Sequence, residues 1–401
     1  MQGVGRTRIL LVGSRILPFR HSGDKNFWLD IIRGVQRLGH GLEVITVMLD
    51  HVDSNGWPFH RIEPIPVYLR PDLRFNPGFR HVAGTNNYAS KTLTLPRVIN
   101  EVRSQLRTFR PDVIHFAENY GPAAAALRAA IGPTPMAISA PTYQPDRPFY
   151  DVFLRASFSS FNVVVPFSDA YSRRLLDLGL PLTRIRRIRW GIDVAKFVPP
   201  SDAEREAARQ ELGIPKGSIV VQWTGFLQQA KEPDLDLALR TARRALESDG
   251  SKFAFFFSFK PEHFKEAYRR FEHPGLRVTD SGALFHTVRN AADVLLSPIN
   301  DLRSTAAPPL AWLESLAMGI PILSTDVPGA REAVVDGQSG FVGATPKEIA
   351  ARLHEMFADS GLVSRLKEGA RRIAVERYSL DRSLQEYVDL WAAMARLGPA
   401  S

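Results

Sequence analysis

The chain has 401 residues, of which 44% are hydrophobic and 23% charged, a composition typical of a globular protein long enough for two domains. It contains no cysteine, which excludes disulfide bonds, thiolate metal sites and thiol nucleophiles. The net charge is +9, and the positive excess is confined to residues 1–195, which hold 25 Lys and Arg against 15 Asp and Glu.

Two interpretations of this basic excess stay open. Either the arginines form an ordinary solvated surface, or they attract an acidic partner such as anionic lipid headgroups, a phosphorylated acceptor or nucleic acid. No nucleic-acid-binding motif accompanies them, so we expect no nucleic-acid partner. The first apolar run is too short for a signal peptide, and no stretch of about 18 apolar residues follows. We therefore expect a cytoplasmic protein whose membrane contact, if any, is peripheral.

Strand-like apolar runs alternate with helix-like segments from the first residues onward. "RILLVGS" predicts a strand, "NFWLDIIRGVQRLGH" a helix ended by Gly39, and "LEVITVML" a second strand. Residues 50–90 are rich in Pro, Asn and Gly and are predicted to form a long irregular excursion. "LPRVINEVRSQLRTF" is predicted to be a helix that faces the core or lies on a membrane surface. "PDVIHF", "TPMAISA" and "FNVVVPF" predict further buried strands.

The same pattern restarts at "SIVVQWTG", after a Pro-rich joint near residues 195–200. It continues through "KFAFFFSF", "LRVTDSG", "ADVLLSP" and "IPILSTD", with helix-like segments between them. Alternation of strands and helices is typical of doubly wound parallel sheets. The sequence therefore predicts two Rossmann-like α/β domains that face each other across a cleft.

Ligands of such sheets bind outside the carboxyl ends of the strands, so the loops that follow strands hold the candidate residues. The loop after the first strand lacks the G-x-G-x-x-G pattern, which argues against an NAD(P) enzyme. In that loop Gly23 and Lys25 either offer N–H groups and a cation to an anion or form a plain turn. Gly225 and Lys231 follow the first strand of the second half, where a lysine suits a diphosphate.

The helix predicted over "LAWLESLAM" is apolar apart from one carboxylate. An unpaired buried charge is strongly destabilising. Glu314 therefore either faces a ligand, where it accepts hydrogen bonds from ribose hydroxyls, or pairs with a structural arginine. The start of this helix, at Pro309 and Leu310, is predicted to offer unpaired N–H groups to a phosphate.

His115 ends the strand in "PDVIHFAENYG", with Glu118 and Asn119 just beyond it. A histidine in this position contacts a ligand or is a hydrogen-bonded structural residue, and both interpretations stay open. We find no metal-ligand cluster with usable spacing and no nucleophile elbow.

The segment "LESLAMGIPILSTDVPGAREAVVDGQSGFV" resembles the signature of family-4 glycosyltransferases with the GT-B fold. "RPDVIHF", "WGIDVAKFVPP", "AADVLLSP" and "SLDRSLQEYVDLW" resemble other segments of that family in the right order. The resemblance implies an acceptor-binding domain over residues 1–195 and a nucleotide-sugar-binding domain over 196–379. It also implies a closing helix over 380–401 that returns to the first domain.

By the same resemblance, the reaction moves a sugar from a nucleotide-diphosphate sugar to an acceptor with retention of anomeric configuration, without a metal or further cofactor. Glu314 would bind the ribose hydroxyls, and Lys231 and the loop at Pro309 and Leu310 would contact the diphosphate. Gly23 and its neighbours would close over the phosphates.

The acceptor side is assigned to the first domain. We expect a sugar, a lipid-linked molecule or a phosphorylated molecule as the acceptor, and peripheral contact with an anionic membrane is compatible with the positive charge. Glu118, Asn119 and Thr142 are assigned to acceptor binding, and His115 is assigned a catalytic role.

Three positions depart from the family's pattern. Ala306 stands where a sugar-contacting glutamate is usual, Phe226 where an arginine accompanies the diphosphate lysine, and Pro141 where a histidine is usual. Each departure removes a polar group from a position that the family uses for binding or catalysis.

Two interpretations of these departures stay open. One is an active transferase with a remodelled loop, in which Asp301, Arg303 or Lys260 supplies the missing groups. The other is a catalytically silent relative that binds a nucleotide or a partner.

Overall fold

A computed structural model describes the fold over the following residues: 7–13, 23–46, 59–62, 65–68, 86–117, 123–140, 148–226, 231–249, 252–260, 273, 275–280, 284–302, 305 and 308–397. The chain divides into two compact units, with boundaries between Gly191 and Ile192 and between Ser379 and Leu380. The first unit includes the residues that follow Leu380, and each unit is built on its own sheet.

The first unit has a seven-stranded sheet. Its strands are β1 Arg8–Gly13, β2 Gly41–Thr46, β3 Phe59–Ile62, β4 Ile65–Tyr68, β5 Val113–Phe116, β6 Met136–Ala140 and β7 Val163–Pro166. They are ordered β3-β4-β2-β1-β5-β6-β7. The helices between them are α1 Gly23–Arg37, α2 Asn86–Thr108, α3 Ala124–Ile131, α4 Pro148–Ser159 and α5 Asp169–Asp177. Gly39 follows α1 with φ 77°, which confirms the predicted glycine at the end of this helix.

One pair in this sheet is antiparallel. β3 pairs antiparallel with β4, whereas β4 adds to β2 in parallel. The prediction of an irregular excursion over residues 50–90 is therefore wrong for residues 86–90, which begin α2, and for the residues of β3 and β4. Both strands have only four residues, and Pro66 lies within β4, so neither shows the regular alternation that marks a strand in a sequence.

Helix α2 faces the core of the first unit. Leu95, Val98 and Val102 are buried, while Arg103 and Arg107 are exposed. This burial supports the core-facing interpretation of the segment. Among the residues that the structure describes, no helix combines the length and the apolar character needed to cross a bilayer.

The free edge of β7 is covered by an edge segment, residues 185–189, which follows the 3₁₀ turn Leu182–Arg184. Ile185 forms a parallel bridge with Val164, and the Arg186 N–H donates to the Val164 carbonyl at 3.0 Å. The Arg186 side chain is exposed.

The second unit has a six-stranded sheet in which all pairs are parallel. Its strands are β8 Ile219–Phe226, β9 Phe253–Lys260, β10 Leu276–Asp280, β11 Val294–Leu296, β12 Ile322–Thr325 and β13 Gly340–Gly343. They are ordered β10-β9-β8-β11-β12-β13. Its helices are α6 Asp202–Glu211, α7 Glu232–Asp249, α8 Phe285–Ala291, α9 Leu310–Ala317, α10 Ala330–Ala333, α11 Pro346–Ala358 and α12 Ser360–Tyr378.

The last helix, α13 Leu380–Arg396, packs on α1 and β5 of the first unit. Tyr387 and Trp391 of α13 are fully buried. Gly34 of α1 allows the close approach, because a Cβ at this position would overlap the Leu384 side chain.

Two glycines of the second unit are required by packing, one in the signature segment and one in α12. Gly340 begins β13 with φ 148°, and a Cβ there would overlap the Ile322 carbonyl oxygen. A Cβ at Gly369, in α12, would overlap the carbonyl oxygen of Gln338. These contacts bring β13 against β12 and α12 against the turn before β13, so the two glycines serve the fold.

The second unit is built around one buried carboxylate. Asp293, just before β11, has a side chain that is 8% exposed. It accepts hydrogen bonds from the Val220 N–H at 2.9 Å, Lys367 Nζ at 2.9 Å, Arg209 Nη1 at 3.1 Å and Arg205 Nη2. Burial by itself would raise the pKa of Asp293, but the charges of Lys367 and Arg205 and the Val220 N–H outweigh burial and lower it. The ionised carboxylate therefore joins α6, β8, β11 and α12.

We expect Asp293→Asn to lower the free energy of unfolding by about 3–5 kcal/mol, because three cations then lose their buried partner. Urea denaturation at neutral pH measures the change. Asp326→Asn is the matched control, since the ion pair of Asp326 with Arg331 is exposed on both sides, at 51% and 55%. That control should lose no more than about 1 kcal/mol. Equal losses in the two variants would contradict the central role of Asp293.

Candidate functional site

The candidate site lies at the carboxyl ends of β8 and β11. In the second sheet the chain runs outward in one direction from β8 to β10 and in the other from β11 to β13, so the strand order reverses between β8 and β11. Ligands of parallel sheets bind at such reversals, outside the carboxyl ends of the strands. Lys231 follows β8, and residues 297–302 follow β11.

Asp234, in the first turn of α7, links the two loops. Its Oδ2 lies 3.3 Å from Lys231 Nζ, and its Oδ1 accepts a hydrogen bond from the Asn300 N–H at 2.6 Å. Burial raises the pKa of Asp234, against the opposing effects of the Asn300 N–H and Lys231. Lys231 is thereby held at the strand reversal. Asp234 was not among the predicted site residues, although its three-residue spacing from Lys231 is typical of a helical ion pair.

The loop after β11 is anchored to its neighbours by side chains. Trp312 Nε1 of α9 donates to Ser297 Oγ at 2.7 Å, and Ser324 Oγ donates to the Ser297 carbonyl at 2.9 Å. Thr325 Oγ1 accepts from the Ile299 N–H at 2.8 Å. These bonds fix the loop against α9 and β12, and they explain the tryptophan in an otherwise aliphatic helix.

The start of α9 has unpaired backbone donors. Pro309 precedes the helix in an extended conformation, and no side chain caps it. Proline has no N–H, so Pro309 contributes only its conformation, and the donors are Leu310 and Ala311. Within the described part of the chain neither N–H makes a hydrogen bond, whereas the Trp312 N–H donates to the Pro309 carbonyl. Two N–H groups and the positive end of the helix dipole are thus available to an anion.

Glu314 of α9 is paired with Arg289 of α8. Arg289 Nη2 donates to Glu314 Oε2, and the two side chains are 6% and 22% exposed. The Arg289 guanidinium also lies over the rings of Phe197 and Phe285, at 5.3 and 5.2 Å. The sequence left open whether Glu314 pairs with a structural arginine, and Arg289 is such a partner. Arg289 contacts Oε2 of the carboxylate and leaves Oε1 for a ligand. The ribose-binding role of Glu314 therefore stays a prediction.

His115 is enclosed in the core of the first unit. It lies on β5 between β1 and β6 and is 0% exposed. Trp391 Nε1 donates to His115 Nδ1 at 3.1 Å, and His115 Nε2 lies 2.8 Å from Ser139 Oγ, which in turn lies 3.0 Å from Tyr387 Oη. Because an indole only donates, Nδ1 carries no proton and the Nε2–H donates to Ser139. Both ring nitrogens are engaged, which favours the structural interpretation over the catalytic one.

The remaining predicted residues that the structure describes lie at helix starts, near strand ends and, for Asp301, in the loop after β11. Gly23 is the first residue of α1, and Lys25 is in its first turn. The prediction that Gly225 follows the first strand of the second half is wrong, because β8 continues to pair with β9 through Phe226 and so includes Gly225. A Cβ at Gly225 would overlap the Trp223 ring, and Lys260 ends β9. Asp301 accepts a hydrogen bond from the side chain of its neighbour Asn300.

The other predicted residues lie outside the described residues: Glu118, Asn119, Thr142 and Arg303, together with the departing positions Ala306 and Pro141. Phe226 is the last residue of β8. Among the described residues, no group of three or more His, Asp or Glu side chains is arranged to hold a metal ion.

Two family models match the chain. The Glycosyl transferase 4-like domain matches residues 23–191, and Glycosyl transferases group 1 matches residues 279–373, together more than half of the chain. The chain belongs to the family-4 glycosyltransferases with the GT-B fold. The second of these matches contains α9 and the loop that precedes it.

Solved glycosyltransferase structures share the fold of this family-4 chain. Sucrose-phosphate synthase from Thermosynechococcus elongatus aligns with a TM-score of 0.76 and 14% identity, over 98% of this chain and 100% of that one. Anabaena HepE in complex with UDP aligns with a TM-score of 0.70 and 15% identity, over 96% of this chain and 100% of that one. At these identities the likeness shows the fold alone.

Curated relatives carry the name D-inositol 3-phosphate glycosyltransferase. The protein from Streptomyces bingchenggensis is 30% identical over 51% of this chain and 47% of its own length. The protein from Salinispora arenicola is 30% identical over 55% of this chain and 52% of its own length. The chain thus spans about half the length of the curated relatives it matches.

We expect His115→Gln to make the free energy of unfolding fall less steeply as the pH decreases. Burial lowers the pKa of His115 from 6.5 to about 3. Between these values the unfolded chain binds a proton that the folded chain does not, so the free energy of unfolding falls with decreasing pH by up to about 1.4 kcal/mol per unit. Urea denaturation across this window measures the slope, which the variant should lose in part.

The exposed His286 provides the control, since His286→Gln should keep the wild-type slope. A His115 variant that also keeps it would show that His115 ionises freely in the folded chain. That outcome would favour the interpretation of His115 as an accessible residue that contacts a ligand.

Proposed function

We propose that the chain transfers a sugar from a nucleotide-diphosphate sugar to an acceptor hydroxyl, with retention of anomeric configuration. One observation carries this proposal. Lys231 and the unpaired N–H groups of Leu310 and Ala311 follow the two strands, β8 and β11, that flank the strand reversal of a GT-B donor domain. A cation and free helix-start donors at that place suit a diphosphate.

These groups would act on the leaving group. As the bond between sugar and diphosphate breaks, negative charge grows on the phosphate oxygens. Lys231 and the N–H groups at the start of α9 stabilise that charge, an effect worth roughly 10²–10³ in rate for one preorganised donor. Asp234 holds the lysine in place before the donor binds.

Glu314 would bind the ribose through the carboxylate oxygen that Arg289 does not use. Arg289 keeps the carboxylate oriented, since its own guanidinium is fixed between two rings.

UDP is the first nucleotide to test, because Anabaena HepE, which shares the fold, has been solved in complex with UDP and with UDP-glucose.

Retention follows when the acceptor approaches from the same face that the diphosphate leaves. The acceptor hydroxyl then gives its proton to a phosphate oxygen of the leaving group, and no enzyme nucleophile is needed. Glu118, Asn119 and Thr142 are the residues we assign to acceptor binding. The names of the curated relatives make a phosphorylated polyol the first acceptor to test.

The groups missing at Ala306 and Phe226 need replacements if transfer occurs. Asp301, Arg303 and Lys260 are the polar residues we assign to that role. Asp301 lies in the anchored loop after β11, and Lys260 lies at the carboxyl end of β9, which neighbours β8.

The alternative is a catalytically silent relative that binds a nucleotide or a partner. Two observations favour it. Three usual polar positions are occupied by Ala306, Phe226 and Pro141, and the two retained charges each have a partner within the chain. Lys231 is paired with Asp234, and Glu314 is paired with Arg289.

Release of nucleoside diphosphate from a panel of nucleotide sugars decides between the two functions. The acceptors should include an inositol phosphate, simple sugars and lipid-linked sugars. We expect release with one donor and acceptor pair, and a loss of roughly 10² or more in Lys231→Gln. Lys216→Gln, at an exposed position outside the site, should keep full activity. Nucleotide binding without release across the panel would contradict transfer and support the silent relative.

We expect Glu314→Gln to weaken the binding of UDP about tenfold, because a hydrogen bond to a charged acceptor is lost. Calorimetric titration measures the affinity. Arg289→Gln is the comparison, because it removes the same ion pair but leaves the carboxylate, and its affinity should fall less. If both variants lose stability alike and neither loses affinity, Glu314 is a structural residue.

A further inference from the structure

One face of the first unit combines exposed apolar side chains with arginines. Of the eight large hydrophobic side chains that are exposed in the described part of the chain, four lie between residues 152 and 182. They are Val152 (68% exposed), Phe153 (37%), Leu176 (41%) and Leu182 (70%). Half of the exposed large apolar groups in the described part of the chain are thus concentrated in α4, α5 and the 3₁₀ turn. We call these segments, together with Arg186 just beyond the turn, the α4–α5 face.

Contacts along α4 show that these segments form one surface. Near the start of α4, Asp151 accepts a hydrogen bond from Arg174 of α5 at 2.5 Å. At its end, the Ser159 carbonyl accepts from Arg184 Nη1 of the 3₁₀ turn at 2.9 Å. Between them, the guanidinium of Arg155 lies against Gly179, just after α5. Helix α4 therefore runs alongside α5 and the turn, and their exposed sides adjoin.

The charge of the α4–α5 face is positive and largely uncompensated. Arg155, Arg173, Arg184 and Arg186 are exposed, and within the described residues none of them is in an ion pair. The aspartates at positions 151 and 169 already pair with other arginines. Asp177 is a further exposed carboxylate here, so one aspartate accompanies four arginines that have no ion pair within the described residues.

We propose that the α4–α5 face binds the surface of an anionic lipid bilayer. Guanidinium groups match lipid phosphates with paired hydrogen bonds, and each arginine near an anionic surface strengthens binding several-fold. Val152 and Leu182, which are exposed among these arginines, enter the boundary between headgroups and acyl chains. The positive charge of the face is complementary to an anionic bilayer, which identifies the partner. The inference does not depend on the proposed sugar transfer.

Co-sedimentation of the full chain with vesicles tests this proposal. We expect binding to phosphatidylcholine vesicles that contain phosphatidylglycerol, weakened by salt, and at least about tenfold weaker binding to phosphatidylcholine alone. Arg155→Gln/Arg173→Gln/Arg186→Gln should reduce binding to the anionic vesicles about tenfold or more.

The matched control removes the same net charge from the second unit. Arg240→Gln/Arg243→Gln/Arg244→Gln changes three exposed arginines of α7 and should leave vesicle binding nearly unchanged. Equal losses in the two triple variants would overturn the proposal, because binding would then follow net charge alone. Failure of the unaltered chain to bind anionic vesicles would overturn it as well.

A second variant tests the apolar part without a change in charge. Val152→Ser/Leu182→Ser should weaken vesicle binding several-fold and make the remainder more sensitive to salt. Leu38→Ser/Val375→Ser, at exposed positions outside the α4–α5 face, should not. Unchanged vesicle binding in Val152→Ser/Leu182→Ser, together with full displacement by soluble heparin, would indicate a site for soluble anions and overturn the bilayer assignment.

Discussion

The arrangement of the second unit depends on the ionised side chain of Asp293. It accepts hydrogen bonds from cations of α6 and α12 and from the Val220 N–H of β8, at the amino end of the β8–β11 pair. A buried carboxylate that loses its partners is strongly destabilising, so these elements pack together only when the whole set is present. Asp234 makes the corresponding link at the carboxyl end, where it joins Lys231 to the backbone of Asn300. The two strands that flank the candidate site are thus tied at both ends by aspartates.

The residues of the family signature divide between fold and chemistry. Gly340 lets β13 lie directly against the backbone of β12, and Asp293 of the "AADVLLSP" segment organises the core. Trp312 fixes the loop that precedes its own helix. Glu314 alone among these is both partly exposed and ionisable, and its carboxylate is shared with Arg289. A match to the signature therefore reports the fold more directly than it reports activity.

Most strands and helices could be predicted from the sequence because each is long enough to show a period. The alternation of apolar runs with helical segments was sufficient to predict parallel sheets, and the structure confirms them. The pair formed by β3 and β4 could not be predicted, because four residues with a proline show no regular alternation. The lysine and the helix of the candidate site could be predicted, because each lies in the first stretch of chain that follows a strand, β8 for Lys231 and β11 for α9.

The partners of the site residues could not be predicted, because they are distant along the chain. Arg289 lies 25 residues from Glu314, and Trp391 lies 276 residues from His115. A histidine at a strand end has the same local sequence whether it faces a ligand or the core. Only the packing around β5 decides between the two: the closing helix places Trp391 on one ring nitrogen, and β6 places Ser139 on the other.

The edge segment after β7 has a consequence for the behaviour of the chain in concentrated solution. A sheet that ends in an open strand offers unpaired N–H and C=O groups to a second molecule. Here the outermost strand position is taken by residues 185–189, where Arg186 is exposed and Arg187 and Arg189 pair with Asp169. A second copy that approached this edge would bring like charges opposite one another, which is unfavourable. The arginine-rich segment therefore opposes growth of the sheet by self-association.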